Sequence, residues 1–365
     1  MRIDAIELRL LNLDLIEPFN TSYGSILTRA PIIVRVFGEG HEGWGECSAD
    51  VAPTSHPDPV ETAWSALEGR LATQVIRLEI DHPMVLNLDS TASRTATAAL
   101  EMAVWDLHAK VTGLPLWHHL RGSYRPVPVG VVVGMSSSIE ALLETVARRV
   151  GEGYRRIKFK IGPDRDLEPL SAVRSQWPDL AISADANGSY DPNESTALRA
   201  LDDLRLQYVE QPFPAPDIEQ SAVLAQTIHT PVCLDESLPD RAAVHSALTR
   251  HSHFVINAKP ARLGGLVETL AVHRLAVDAG ADIWCGGYLE TGIGRAHLVA
   301  LATLPGFTLP GDISASSRYW NNDLVEPEWK LTEGDLIPSK APGIGVQVDE
   351  ELLTRSTVRR ILLEV

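Results

Sequence analysis

Lysine is scarce in this sequence: of 32 basic residues, only Lys110, Lys158, Lys160, Lys259, Lys330 and Lys340 are lysine, and the rest are arginine. Positive charge as a whole is in deficit, since 48 acidic residues leave a net charge of −16. An average surface of that sign repels polyanions, so neither nucleic acid nor an anionic membrane is expected as a partner. Cysteine is rarer still. Cys47, Cys233 and Cys285 are odd in number and widely spaced, which excludes a disulfide framework and a zinc–cysteine cluster and fits a reducing cytoplasm. No apolar run approaches the ~20 residues of a membrane span. Residues 1–7, Met-Arg-Ile-Asp-Ala-Ile-Glu, lack the apolar core of an export signal, so a cytoplasmic location is expected.

Familiar nucleotide and hydrolase motifs are missing too. There is no phosphate loop ending in Gly-Lys-Ser/Thr, no Gly-x-Ser-x-Gly elbow and no His-Glu-x-x-His zinc motif. Gly292-Ile293-Gly294 begins like a dinucleotide fingerprint, but His297 stands where the third glycine belongs. The pairs His118-His119 and His251-x-His253 read as solvated or locally hydrogen-bonded histidines.

What is present is a chain of 365 residues, 44% hydrophobic, enough for two ordinary domains with buried cores. The first ~30 residues alternate in strand fashion, and residues 32–36 followed by the glycine-rich 38–45 predict a β-hairpin. Ala96, Ala99, Leu100, Ala103, Val104 and Leu107 then fall at the i, i+3, i+4, i+7, i+8, i+11 spacing of one helix face, which stops near Gly113 and Pro115. The opening domain, residues 1–125, is therefore expected to be α+β. From Pro126 the pattern changes to short β-branched runs at 127–133, 156–161, 180–184, 206–209, 232–234, 254–258, 283–285 and 307–309. Helix candidates such as 193–204 and 266–279 lie between them. Strands alternating with helices imply parallel strands, and about eight such units predict a (β/α) barrel over 126–318. Residues 319–365 are expected to pack back on the first domain.

The charged residues that end the middle strands are Lys160, Asp185, Glu210, Asp235 and Lys259, spaced by 25, 25, 25 and 24 residues. One βα unit is about that long, so the repeat sends five charges into the mouth of the barrel, where barrel active sites are built. Three converging carboxylates without a cation would repel one another. As hard oxygen ligands with open positions beside them they suit octahedral Mg²⁺, with Mn²⁺ as a substitute. Lys158 and Lys160, two apart on a strand, leave the same face. A neighbouring ammonium and a cation would each disfavour protonation of Lys160, drawing it toward the range useful to a general base. Lys259, four units round, approaches from the other side.

At these residues the sequence resembles the enolase superfamily. Lysines on the second and sixth strands match its muconate-lactonizing subgroup, whereas the mandelate racemase subgroup has a His–Asp dyad in place of Lys259. The resemblance spans the whole chain, including the helix bearing Ala99-Leu100-Glu101-Met102-Ala103-Val104-Trp105-Asp106-Leu107. It implies a (β/α)7β TIM-like barrel with an α+β N-terminal capping domain completed by the C-terminal tail. Asp185-Ala186-Asn187, Leu234-Asp235-Glu236-Ser237, Lys259-Pro260-x-Arg262-x-Gly264-Gly265, Trp284-Cys285-Gly286-Gly287 and Thr308-Leu309-Pro310-Gly311-Asp312 are similar to the branch that contains o-succinylbenzoate synthases and N-succinylamino acid racemases.

By that resemblance Lys160 and Lys259 are the acid/base pair, with Lys158 assisting, and Asp185, Glu210 and Asp235 hold the metal. Substrate contacts are implied for Phe19 and Tyr23 in the 19–24 loop and for Asn187, Arg262, Gly287 and Asp312, with Arg262 also placed to tune Lys259. Val132 stands where relatives often carry a serine, and Tyr288 where many have a methionine. The implied activity is Mg²⁺-dependent removal of a proton α to a carboxylate, through an enediolate, on a small carboxylate substrate held by a homo-oligomer. A muconate-type cycloisomerase or dipeptide epimerase would use the same residues, although Asp312-Ile313-Ser314 lacks the Asp-x-Asp of dipeptide epimerases. A barrel that binds metal and carboxylate without turnover is the non-enzymatic alternative.

Overall fold

The structure, a computed structural model, describes residues 1–21, 24–49, 58–194, 196–215 and 218–364. Among them no helix is long and apolar enough to cross a membrane. Two layers of structure meet, and each is built for a reason visible in its residues.

The first is an antiparallel sheet of four strands in the order Thr357–Glu364, Ala5–Leu11, Ile32–Gly38, His41–Cys47. Ile6, Leu8, Ile32, Val34 and Val36 point from it into one apolar cluster with the predicted stripe Ala96, Ala99, Leu100, Ala103, Val104 and Leu107 of the Arg94–Val111 helix. The helix lies almost on the backbone of the sheet. A β-carbon at Gly43 would overlap the Ala103 carbonyl, and one at Gly45 the Ala99 carbonyl, so glycines face alanines at this contact. Ser93 caps the helix by accepting from the Ala96 amide at 3.1 Å. The strand at the C-terminal end of the chain forms one edge of this N-terminal sheet, with Ala5 opposite Glu364.

The second layer is a sheet of seven parallel strands in sequence order: Val131–Val133, Arg156–Lys160, Ala181–Asp185, Val209–Glu210, Val232–Leu234, Val255–Ala258 and Ile283–Cys285. Residues 307–312 close it into a barrel. Phe307 bridges to Ile283 and Gly311 to Val129, and the Asp312 amide donates to the Cys285 carbonyl. Tyr208, Cys233, Val255 and Trp284 fill the interior, with the Tyr208 and Trp284 rings stacked 5.8 Å apart.

Three expectations change in detail. The strand expected at 127–133 is two pieces, because Val127–Pro128 pairs with Asp335–Leu336 before Val131–Val133 joins the barrel. The eighth strand at 307–309 is reduced to isolated bridges, enough to close the ring. The helix expected over 193–204 breaks into short 3₁₀ and α turns ending at Leu201–Leu204, where the Asp202 carboxylate accepts from the amides of His229 and Thr230.

The two layers are joined by buried carboxylates that cap barrel helices from the N-terminal domain. Glu101 accepts from the Val267 amide at the start of the Leu266–Ala279 helix. Glu46 accepts from the amides of Thr291 and Gly294 at the start of the Gly292–Ala302 helix. Helix N-termini favour negative charge, yet burial opposes it more strongly here. Desolvation pushes Glu101 up to about 7, and desolvation with the nearby Glu290 does the same to Glu46.

Candidate active site

Pairing of the parallel strands sets Lys160 beside Asp185 and Asp185 beside Glu210, so the 25-residue spacing becomes a lateral row across the barrel mouth. Lys160 Nζ donates to Asp185 Oδ2 at 2.7 Å and to Asn187 Oδ1 at 2.6 Å. Lys158 Nζ lies deeper, 2.7 Å from Glu210, 3.2 Å from Asp185 and 2.5 Å from Asp312. Across the mouth, Lys259 Nζ donates to Asp235 Oδ2 at 2.7 Å and sits 4.4 Å from the centre of the Tyr288 ring. The two outer lysines are reachable and the inner one is sealed: the side chains of Lys160 and Lys259 are 11% and 12% exposed, that of Lys158 3%.

Burial alone would drive the Lys158 proton off, but Asp312, Glu210 and Asp185 outweigh it and hold its pKa well above the ordinary lysine value. Lys158 thus supplies the neighbouring ammonium that the spacing predicts for Lys160. Lys259 is also raised, against its desolvation, chiefly by Tyr288, Glu236 and Glu210. Asp185 stays ionised although buried, because Lys160 and Lys158 bring it down to about 2. Glu210 moves the other way, raised by burial and by Asp185.

A cavity of about 90 Å³ lies above this row. Lys158, Lys160, Asp185, Asn187, Asp235, Glu236, Lys259, Gly287, Tyr288, Leu289 and Asp312 line it from the barrel side, together with Val132 and Tyr319. Phe19, Ile26 and Arg29 reach it from the Leu13–Thr21 and Gly24–Arg29 strands of the N-terminal domain. Of the expected substrate contacts, Phe19, Asn187, Gly287 and Asp312 are therefore gathered at the cavity. Tyr23 lies outside the described residues. Arg262 does not line the cavity: it is buried behind Asp235, with which it forms an ion pair, and its Nε donates to the Leu238 carbonyl at 2.9 Å. Both Asp312 carboxylate oxygens are engaged, one by Arg156 at 2.6 Å and the other by Lys158.

The donor set fits a hard divalent cation. Asp185, Glu210 and Asp235 offer buried carboxylate oxygens from three successive strand ends, and the pair of lysines on one flank faces Lys259 on the other. Glu236 Oε2 and Asn257 Oδ1 are buried nearby without a hydrogen-bond partner, while Glu236 Oε1 accepts from Asn187 and Asn257 Nδ2 donates to Glu210. Sequence reasoning assigned no role to Arg29, Glu236 or Asn257. Glu236 stands in the quoted Leu234-Asp235-Glu236-Ser237 run, but nothing in a single sequence tells that its carboxyl turns inward.

A barrel of seven strands closed by two isolated bridges, capped by a separate sheet and carrying lysines on both sides of a carboxylate row, defines a class of proton-transfer barrel. The chain belongs to the enolase superfamily: residues 5–121 match the family described as mandelate racemase / muconate lactonizing enzyme, N-terminal domain, and residues 141–352 match that described as enolase C-terminal domain-like. It is 43% identical over 98% of both chains to an N-succinylamino acid racemase of Thermus thermophilus. It is 41% identical to an o-succinylbenzoate synthase of Geobacillus stearothermophilus, over 98% of this chain and 96% of that one. Among solved structures, an enolase superfamily member from Listeria innocua superimposes with a TM-score of 0.93 at 33% identity, covering 100% of this chain and 99% of the other.

Proposed function

We propose that this protein is a Mg²⁺-dependent enzyme that removes the proton α to a carboxylate, acting as an o-succinylbenzoate synthase, an N-succinylamino acid racemase, or both. The observation that carries the reading is the pair of reachable lysines, Lys160 and Lys259, held on opposite sides of one cavity by different carboxylates. The names of the relatives support the two activities.

Asp185, Glu210 and Asp235 would hold the cation, which when bound supplies positive charge that makes a substrate carboxylate's α-carbon more acidic. Lys160 accepts the α-proton at Nζ. In a dehydration, Lys160 then returns that proton to the departing hydroxyl while the Lys259 ammonium stabilises the enediolate charge. In a racemisation, Lys259 delivers a proton to the opposite face, and the roles exchange for the other enantiomer. Lys158 holds Asp185 and Glu210 in place from below, and Arg262 does the same for Asp235. Arg29 lines the cavity from the N-terminal domain with one Nη donating to the Ser48 carbonyl at 3.0 Å, and its positive charge would favour the second carboxylate of a succinyl group.

A dipeptide substrate fits less well, because Asp312-Ile313-Ser314 offers one carboxylate in place of an Asp-x-Asp pair and both oxygens of Asp312 are already committed. The enzyme is expected to act as a homo-oligomer in the cytoplasm, which sedimentation of the purified protein and fractionation of cells check. The activity itself is tested by incubating the protein with N-succinylamino acids in D₂O and Mg²⁺. Deuterium enters at the α-carbon, and more slowly for Lys160→Ala. No incorporation into any such substrate, together with no dehydration to o-succinylbenzoate, would sink the reading.

A further inference from the structure

Away from the cavity, three histidines from separate segments converge on the N-terminal domain. His82 precedes the Pro83–Val85 turn, His108 lies in the last turn of the Arg94–Val111 helix, and His119 ends the Leu116–His119 helix. The ring of His108 is 4.8 Å from that of His82 and 4.8 Å from that of His119, centre to centre. One ring nitrogen of each lies within 4.8 Å of the others. His108 is buried, the other two are half-buried, and the edge of His82 packs on Trp105. We propose that His82, His108 and His119 form a second cation site, selective for an imidazole-seeking ion such as Zn²⁺, Co²⁺ or Ni²⁺ and separate from the carboxylate row.

The donor chemistry distinguishes this site from the first. Imidazole nitrogens suit Zn²⁺, Co²⁺ and Ni²⁺ and are poor ligands for Mg²⁺. Nitrogens bonded to Zn²⁺ at about 2.0–2.1 Å sit roughly 3.4 Å apart in a tetrahedron, so ring shifts of about 1 Å bring the three into place.

The hydrogen bonds orient the rings. The Thr112 hydroxyl is directed at the His108 and Ala109 carbonyls, each at 3.0 Å, so its oxygen is left to accept from His119 Nε2 at 2.7 Å. His119 then carries its proton on Nε2 and keeps a lone pair on Nδ1, the arrangement in which an outer hydrogen bond fixes the tautomer of a metal-binding histidine. His82 Nδ1 accepts from the Met84 amide at 3.1 Å in an exposed turn. Binding through His82 Nε2 moves its proton to Nδ1 and releases that amide to solvent. The rings are also neutral when needed. Burial, then repulsion from His119, His82 and the Met1 ammonium, bring His108 down to about 4, and burial lowers His82 and His119 as well.

The test titrates Zn²⁺ by calorimetry and Co²⁺ by visible absorbance into the full-length protein, with Mg²⁺ in large excess to saturate the carboxylate row. The expected result is one high-affinity ion per chain, a tetrahedral Co²⁺ spectrum and faster exchange of the Met84 amide. Affinity should fall at least about 100-fold in His119→Gln and in His82→Asn. The His82→Asn variant alters an exposed turn, so it stays informative if replacement of buried His108 perturbs folding. No ion bound beyond those that Mg²⁺ displaces, or binding that survives both variants unchanged, would overturn the proposal.

Discussion

At the scale of single residues, the chemistry depends on groups that can give up a proton beside groups that cannot. Arginine does not deprotonate at working pH, so the two outer lysines, Lys160 and Lys259, cannot be exchanged for the cation this chain otherwise prefers. Lys160→Ala and Lys259→Ala should each lower racemisation by about 10²–10⁴-fold. Each variant should still exchange the α-proton of the one enantiomer that faces the surviving lysine, measurable by proton NMR on separate enantiomers in D₂O. Loss of exchange with both enantiomers in both variants would refute two independent bases. Arg29 acts on affinity instead. Arg29→Met should raise KM for an N-succinyl substrate by about 10-fold or more, the worth of a charged hydrogen bond, and change KM for an N-acetyl analogue little. Equal effects on both substrates in steady-state assays would remove Arg29 from tail recognition.

At the scale of elements, the helix on the capping sheet was the most legible feature, because its apolar stripe has one period and its partner strands another. The closeness of the contact was not legible, since a glycine in a hairpin reads first as a turn. Gly45→Ala would thrust a methyl group into the Ala99 carbonyl. The substitution should cost on the order of 1–3 kcal/mol in urea unfolding, with the helix lifted from the sheet. A cost near zero would mean that the layers slide freely. The row Lys160, Asp185, Glu210, Asp235 and Lys259 was readable from its spacing, because parallel register turns sequence period into spatial adjacency. Arg29, Glu236 and Asn257 escaped because none belongs to that period, and Arg29 arrives from a different layer. His119 escaped because its partners are 11 and 37 residues away in the chain, with no motif to join them.

At the scale of the whole molecule, the two layers are coupled through carboxylates that folding desolvates. Glu101 has a folded pKa raised to about 7, so the folded state binds more protons than the unfolded state between the ordinary carboxylate range and that value. Its contribution is therefore full below the unfolded pKa and is lost as pH rises through about 7, a loss on the order of 3 kcal/mol at the limit. Glu101→Gln keeps an oxygen for the Val267 amide and removes the ionisation. Melting curves should show the variant gaining on the parent protein as pH rises from 5 to 8, and parallel curves would refute the coupling. The net charge of −16 does not carry over to the cavity, whose lining balances Lys158, Lys160, Lys259 and Arg29 against Asp185, Asp235, Glu236 and Asp312. The pairing of Thr357–Glu364 with Ala5–Leu11 bears on synthesis. The first strand leaves the ribosome some 350 residues before the second of its two neighbours exists. Until then its edge is open to any other chain, and the barrel can close before the cap does. A chain halted short of its final strand would carry the whole lysine and carboxylate row beside a capping sheet with Ala5–Leu11 as its bare edge.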